Sequence, residues 1–217
     1  HGFGSEGTRT KTVAHKETNK KLAEMMRLKW DDYSLNERVR EGKEIAFCRD
    51  NINLELPDRS ALKIVSADII FQDKVEVNLG NLTCVVENVG GDHSSDSSVV
   101  YIPEEKVVFL GDCLGMDLYQ PVWTYTTEKL FPLINKLLSY DADYYVDSHY
   151  PVVTRDKMVE DCSELKIIGE VVERYRGNRE AIIEVIRKRI GEETDEYGVK
   201  IIKRNFSHYF EPFMSYY

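Results

Sequence analysis

The chain has 217 residues, 42% of them hydrophobic and 31% charged, with a net charge of −9. A chain of this length forms one domain, or one domain with an appendage, and can bury roughly 70% of the surface it exposes when unfolded. The acidic balance excludes nucleic acid and anionic membrane surfaces as default partners, because both demand a basic face. A small-molecule substrate is the expected partner. No apolar run approaches the roughly 18 residues of a membrane span, and no signal peptide is visible. Cys48, Cys84, Cys113 and Cys162 are widely spaced and form no CxxC pair. They read as reduced core or surface thiols of a cytoplasmic protein. The chain begins at His1 rather than Met, which reads as a processed or incomplete start.

In chain order, residues 1–10 are a glycine-rich loop, and Thr12 to His15 is short and apolar, a strand end. From Glu17 to about Met26 the spacing of Leu22, Met25 and Met26 predicts a helix. Residues 30–49 are charged and weakly periodic and are expected to form a single second helix carrying Leu35, Val39, Ile45 and Phe47. Within the excursion 27–60 this reads as a solvated surface helix, with a lid or an oligomer contact as the alternatives. Strands are then expected at Asp68–Phe71, Lys74–Leu79 and Leu82–Val86, with a turn at Gly80-Asn81.

The stretch GGDHSSDSSVVYIPEEKVVFLGDCLG, residues 90–115, carries the most information. A polar loop holds His93 between Asp92 and Asp96. Two β-branched and aromatic runs, Ser98–Ile102 and Lys106–Leu110, flank a turn at Pro103-Glu104-Glu105. This is a β-hairpin pattern, and it brings His93, before the first strand, to the same rim as Asp112, after the second. Strands 68–110 are therefore expected to form one antiparallel run.

A loop with Met116, Tyr119, Pro121, Trp123 and Tyr125 comes next, either a pocket wall or core packing. Thr126 or Thr127 is expected to cap a helix with the stripe Leu130, Ile134, Leu137 and Leu138, kinked or delayed by Pro132. Asp143–Val146 is a short strand that leads to His149. Thr154 is expected to cap a long helix with Met158, Cys162, Leu165, Val172 and Tyr175 inward, stopped at Gly177-Asn178. A further helix spans 179–190. The last twelve residues hold six aromatics, expected to pack on the body or on a second subunit as a homo-oligomer contact. His15 and His208 read as structural.

His93, Asp112 and His149 each lie next to a strand end. Imidazole and carboxylate suit zinc, iron or manganese, and a carboxylate can bridge two ions while each His serves one. Such a pair can hold a hydroxide and lower its pKa towards neutrality. Cys113 follows Asp112 and points away from it in an extended backbone, as a core thiol.

The 90–115 segment resembles the middle metal segment of the metallo-β-lactamase-like hydrolases. There a Gly-His-Ser/Thr loop, a strand, a Pro-Glu-Glu-Lys turn and a Val-Phe-Gly-Asp strand supply two ligands. The resemblance implies that His93 completes the first metal's histidine set. It also implies that Asp112 is the bridging, catalytic carboxylate of glyoxalase II-type members and that His149, in DSHYP, binds the second metal. Residues 1–22 resemble the segment just after the family's His-x-His-x-Asp-His motif, which makes His1 its last histidine, also a second-metal ligand. The His-x-His-x-Asp part does not occur in the sequence, and neither do the strands that normally precede it.

The fold this implies is α/β: an αββα sandwich of two mostly antiparallel sheets flanked by helices. It would span residues 1–155, with 156–217 as a C-terminal helical extension and aromatic tail. The implied activity is a metal-dependent hydrolase, with two zinc ions in the complete protein or iron or manganese in their place. Its metal-held hydroxide would attack an ester, thioester, lactone or amide bond. The alternatives are an iron-dependent oxidoreductase on the same scaffold and a non-catalytic, metal-poor assembly module.

Overall fold

The structure is a computed structural model that describes residues 10–120, 124–175 and 178–190. His1, Pro121, Trp123, Gly177, Gly191, His208 and the aromatic tail lie outside the described residues. The chain divides into two compact units, residues 1–73 and 74–217.

The first unit holds strand β1 (Val13–His15), helices α1 (Lys16–Met25), α2 (Asp32–Arg40) and α3 (Ala46–Glu55), and strand β2 (Ile69–Phe71). His15 is buried and caps α1 by accepting a bond from the Glu17 amide at 3.3 Å, the structural role expected of it. The predicted single helix over 30–49 is two helices. Asp31 starts α2 by accepting the Ser34 amide at 2.9 Å. Gly42, at φ 68°, ends it in the left-handed region that glycine enters without a Cβ penalty. Most of the segment is solvated, as expected, and it is pinned at a few points. Leu35 is fully buried, the Arg38 guanidinium stacks 4.8 Å from the Trp30 ring centre, and Arg59 donates to the Trp30 carbonyl at 2.6 Å. The expected run of antiparallel strands from 68 also needs correction, because β2 pairs in parallel with β1. A Gln72-Asp73 link lacks the positive-φ residues that a two-residue hairpin turn requires.

The second unit is built on a six-stranded sheet in the order β3 (Lys74–Asn78), β4 (Thr83–Asn88), β5 (Ser98–Ile102), β6 (Val107–Gly111), β7 (Tyr144–Asp147), β8 (Val153–Thr154). The first four strands are an antiparallel meander, as expected from the turns. Between β5 and β6 the chain turns through Pro103–Glu105 and a left-handed Lys106. Helix α4 (Thr127–Leu138) then crosses over and returns β7 parallel to β6. Helix α5 (Arg155–Arg174) comes next, with Thr154 accepting the Lys157 amide as its cap, and α6 (Arg179–Ile190) packs on it. The inward residues of the second half of α5 are Ile168 and Val171; Val172 and Tyr175 are half-buried. The described residues thus have the expected mixed α/β class, with a mostly antiparallel sheet. None of their helices is long and apolar enough to cross a membrane.

One face of this sheet packs on α4 and α5. Val99, Val108, Leu110 and Tyr145 meet Leu130, Leu133, Ile134 and Leu137 of α4 and Met158 and Cys162 of α5. Pro132 sits within α4 without ending it. Arg155 fastens the end of α4, donating to the carbonyls of Leu138 at 3.1 Å and Tyr140 at 2.7 Å. A second polar clasp joins α4 to the sheet: Glu87 accepts from Lys136 at 2.6 Å and Tyr140 at 2.7 Å. Burial alone would raise the Glu87 pKa, but these two bonds outweigh it and hold the carboxyl below its ordinary value. A depressed carboxyl contributes stability above its unfolded pKa and loses it as pH falls through the folded one. Lys136→Met is therefore expected to cost about 1 kcal/mol at pH 7, discounted for the solvent-exposed lysine. Urea denaturation at pH 7 and pH 3 should show the gap between variant and wild type closing in acid.

Candidate metal centre

Three loops meet at one edge of the six-stranded sheet because of strand direction. β6 and β7 are parallel, so the residues after both lie at the same rim. β5 runs antiparallel to β6, so the loop before it lies there too. Asp112 leaves β6 at a register shift between Phe109 and Gly111, where Gly111 adopts φ 56°. An irregularity of this kind at a strand end re-aims the next side chain.

The structure brings together three of the four residues predicted from sequence. His93 Nε2 lies 3.8 Å from Asp112 Oδ2, and His149 Nε2 lies 3.2 Å from Asp112 Oδ1. Asp112 is the sheltered member, with its side chain 13% exposed, whereas that of His149 is 64% exposed. His1, the fourth, lies outside the described residues.

Each ligand candidate is held by its own loop. His93 Nδ1 is 3.0 Å from the Met116 carbonyl oxygen. A carbonyl can only accept, so Nδ1 is the donor in this bond, and Nε2 is the nitrogen turned towards Asp112. The His149 amide donates to Asp147 Oδ1 at 2.8 Å. The loop of His93 is tied down by the buried Asp92, which accepts the Thr126 amide and hydroxyl, both at 2.9 Å, with Lys129 Nζ 3.7 Å away. Thr126 is thus the N-cap residue of α4, but its hydroxyl serves Asp92 rather than a helix amide.

Asp92 and Asp147 are anchors to which sequence reasoning gave no role. For Asp147 the available signal was its place two residues before His149, where Asp commonly bonds its own loop backbone; Asp92, whose partner Thr126 lies in a distant loop, had none. Cys113 is 1% exposed, and its thiol is pushed up to about 12, by burial first and then by the carboxylates of Asp147 and Asp112. It is the inert core thiol expected from its alternation with Asp112.

Among the described residues, no group of three or more His, Cys, Asp or Glu side chains closes around a single metal position. The arrangement is instead one carboxylate with an imidazole at each oxygen. Two ligands about 2.0–2.2 Å from a tetrahedral ion stand roughly 3.3–3.6 Å apart. The observed separations of 3.2 and 3.8 Å lie just below and just above that span. The donor types, two imidazoles and one carboxylate, are ones that divalent ions accept.

No protein-family model and no curated protein matches the chain. Among solved structures, it is similar to an archaeal metallo-β-lactamase superfamily protein from Sulfolobus tokodaii, at 15% identity over 75% of this chain and 60% of that one, with a TM-score of 0.47. It is similar to a metallo-β-lactamase family protein from Thermus thermophilus at 18% identity over 82% of this chain and 61% of that one, with a TM-score of 0.44. A metallo-β-lactamase from Pontibacter korlensis is similar at 22% identity over 73% of this chain and 84% of that one, with a TM-score of 0.37. The chain spans about three fifths of the length of the first two. These proteins carry the name of the family that the 90–115 segment resembles.

Proposed function

We propose that the chain is a metal-dependent hydrolase of small molecules that cleaves an ester, thioester, lactone or amide-type bond. The observation that carries this reading is the position of Asp112, with His93 at one oxygen and His149 at the other. His93 with Asp112 would hold one divalent ion. His149 with Asp112 would hold a second. Zinc suits these donors, and iron or manganese share them. When bound, such ions supply Lewis acidity and bring the pKa of a held water towards neutrality.

The chain's own residues supply the arrangement. Ionised Asp112 is an acceptor on both oxygens, so one side chain can balance positive charge on both sides. The bond from His93 to Met116 engages Nδ1, so the neutral ring offers Nε2 to a metal with no tautomer change. His149 stands on the open side of the site, where a substrate can reach it.

The test is reconstitution with zinc, manganese or iron(II), followed by assays on an aryl ester, a thioester, a lactone and a β-lactam. Turnover of at least one class is expected, lost on chelation and restored by metal. Bound metal with no metal-dependent turnover of any of the four would overturn the hydrolase reading.

A further inference from the structure

We infer that Gly115 is a positioning residue for His93, its missing side chain letting the turn after Asp112 close against the imidazole. The inference rests on the proposed role of His93 as a metal ligand. The turn is tight: the Gly115 amide donates to the Asp112 carbonyl at 2.8 Å, and the Cys113 amide donates to the Leu110 carbonyl at 3.3 Å. A Cβ at Gly115 would stand 2.7 Å from His93 Nδ1, 3.3 Å from its Cγ and 3.0 Å from the Asp112 carbonyl oxygen. The first distance is one that real side chains do not adopt. The contact falls on the nitrogen that bonds the Met116 carbonyl, the next residue in the chain. One five-residue turn therefore carries the Asp112 carboxylate at its start and the acceptor that sets the His93 tautomer at its end. The gap between them is kept open by an absent methyl group.

Gly115 differs from the other glycines of this rim. Gly90, Gly91 and Gly111 all adopt positive φ, whereas Gly115 does not. Its backbone is open to alanine, so the demand for glycine there comes from the imidazole and the turn packed against it. Gly115→Ala should move the His93 ring, break its bond to Met116 and release the tautomer, while the sheet and α4 stay in place. A ligand whose outer hydrogen bond is lost binds its metal about 10–100-fold more weakly.

The experiment compares wild type with Gly115→Ala in two measurements. Long-range proton–nitrogen NMR on histidine-labelled, metal-free protein reads the tautomer of each imidazole; zinc titration reads affinity. In wild type, His93 is expected to be protonated at Nδ1. In Gly115→Ala the His93 signals should shift towards a mixed tautomer, with those of His15 unchanged, and zinc affinity should fall about 10–100-fold. Unchanged His93 signals and affinity in a folded variant would overturn the inference. A third comparison covers the case in which the variant is destabilised. In a His93→Ala background the added methyl meets no ring, so Gly115→Ala should then cost much less stability than in wild type. An equal cost in both backgrounds would mean that Gly115 serves the turn backbone alone, and would overturn the role in positioning. Wild type that binds no zinc, with a His93 tautomer still dependent on Gly115, would overturn the metal reading and leave the positioning role supported.

Discussion

Asp112→Ala is expected to lower metal-dependent kcat/KM by at least about 10³-fold, equivalent to about 4 kcal/mol of transition-state stabilisation. The size comes from the geometry. Asp112 faces both imidazoles, so its loss would remove the carboxylate from both sides of the proposed centre. His93→Ala and His149→Ala each remove one imidazole and should also abolish turnover, without adding to the loss in Asp112→Ala, because residues that act as a unit are not additive. The exposed His149 is the more tolerant position for folding; Asp112, largely sheltered, is the less tolerant. Steady-state rates of the three variants, each checked by circular dichroism, decide the matter. Turnover unchanged in all three would sink the assignment.

The second large effect is on stability. Gly91 adopts φ 125°, and a Cβ there would lie 2.9 Å from the Cys113 carbonyl oxygen and 3.2 Å from Leu133 Cδ2. Backbone strain and overpacking act together, so Gly91→Ala should cost about 3 kcal/mol or more. Its neighbour provides the control. Gly90 also has positive φ, but the nearest atom to an added Cβ is 3.9 Å away, so Gly90→Ala should cost about 1–2 kcal/mol from conformation alone. Chemical denaturation of the two variants should separate them by at least about 1 kcal/mol. Equal costs would mean that the contact with Cys113 and Leu133 is not a constraint. Because Gly91 precedes Asp92 and His93, its variant should also weaken metal binding.

How far the fold and the site were legible in the sequence depends on the range of the forces involved. The hairpin over 98–111 was legible because both strands and their turn are local, and the turn residues announce themselves. His93 and Asp112 came together for that reason. His149 was found as the residue after a strand, but the parallel pairing that brings it to Asp112 has no local signature. It depends on the α4 crossover and on a strand about forty residues away in sequence. The same limit hid β1 with β2, three residues each, paired in parallel across more than fifty residues. The single helix expected over 30–49 failed at Gly42, where a weak period masked a stop signal that was present in the sequence. Gly115 had no signal of its own. Its meaning lies in the ring that packs beside it, and that contact exists only after both loops have reached the same rim.

The central claim is that His93, Asp112 and His149 hold metal. Elemental mass spectrometry on protein purified without chelator, wild type beside Asp112→Ala, tests it most directly. One to two equivalents of zinc, iron or manganese are expected in wild type, falling to near zero in the variant. Folded wild type that carries no metal after loading, or a variant that retains as much as wild type, would contradict the account.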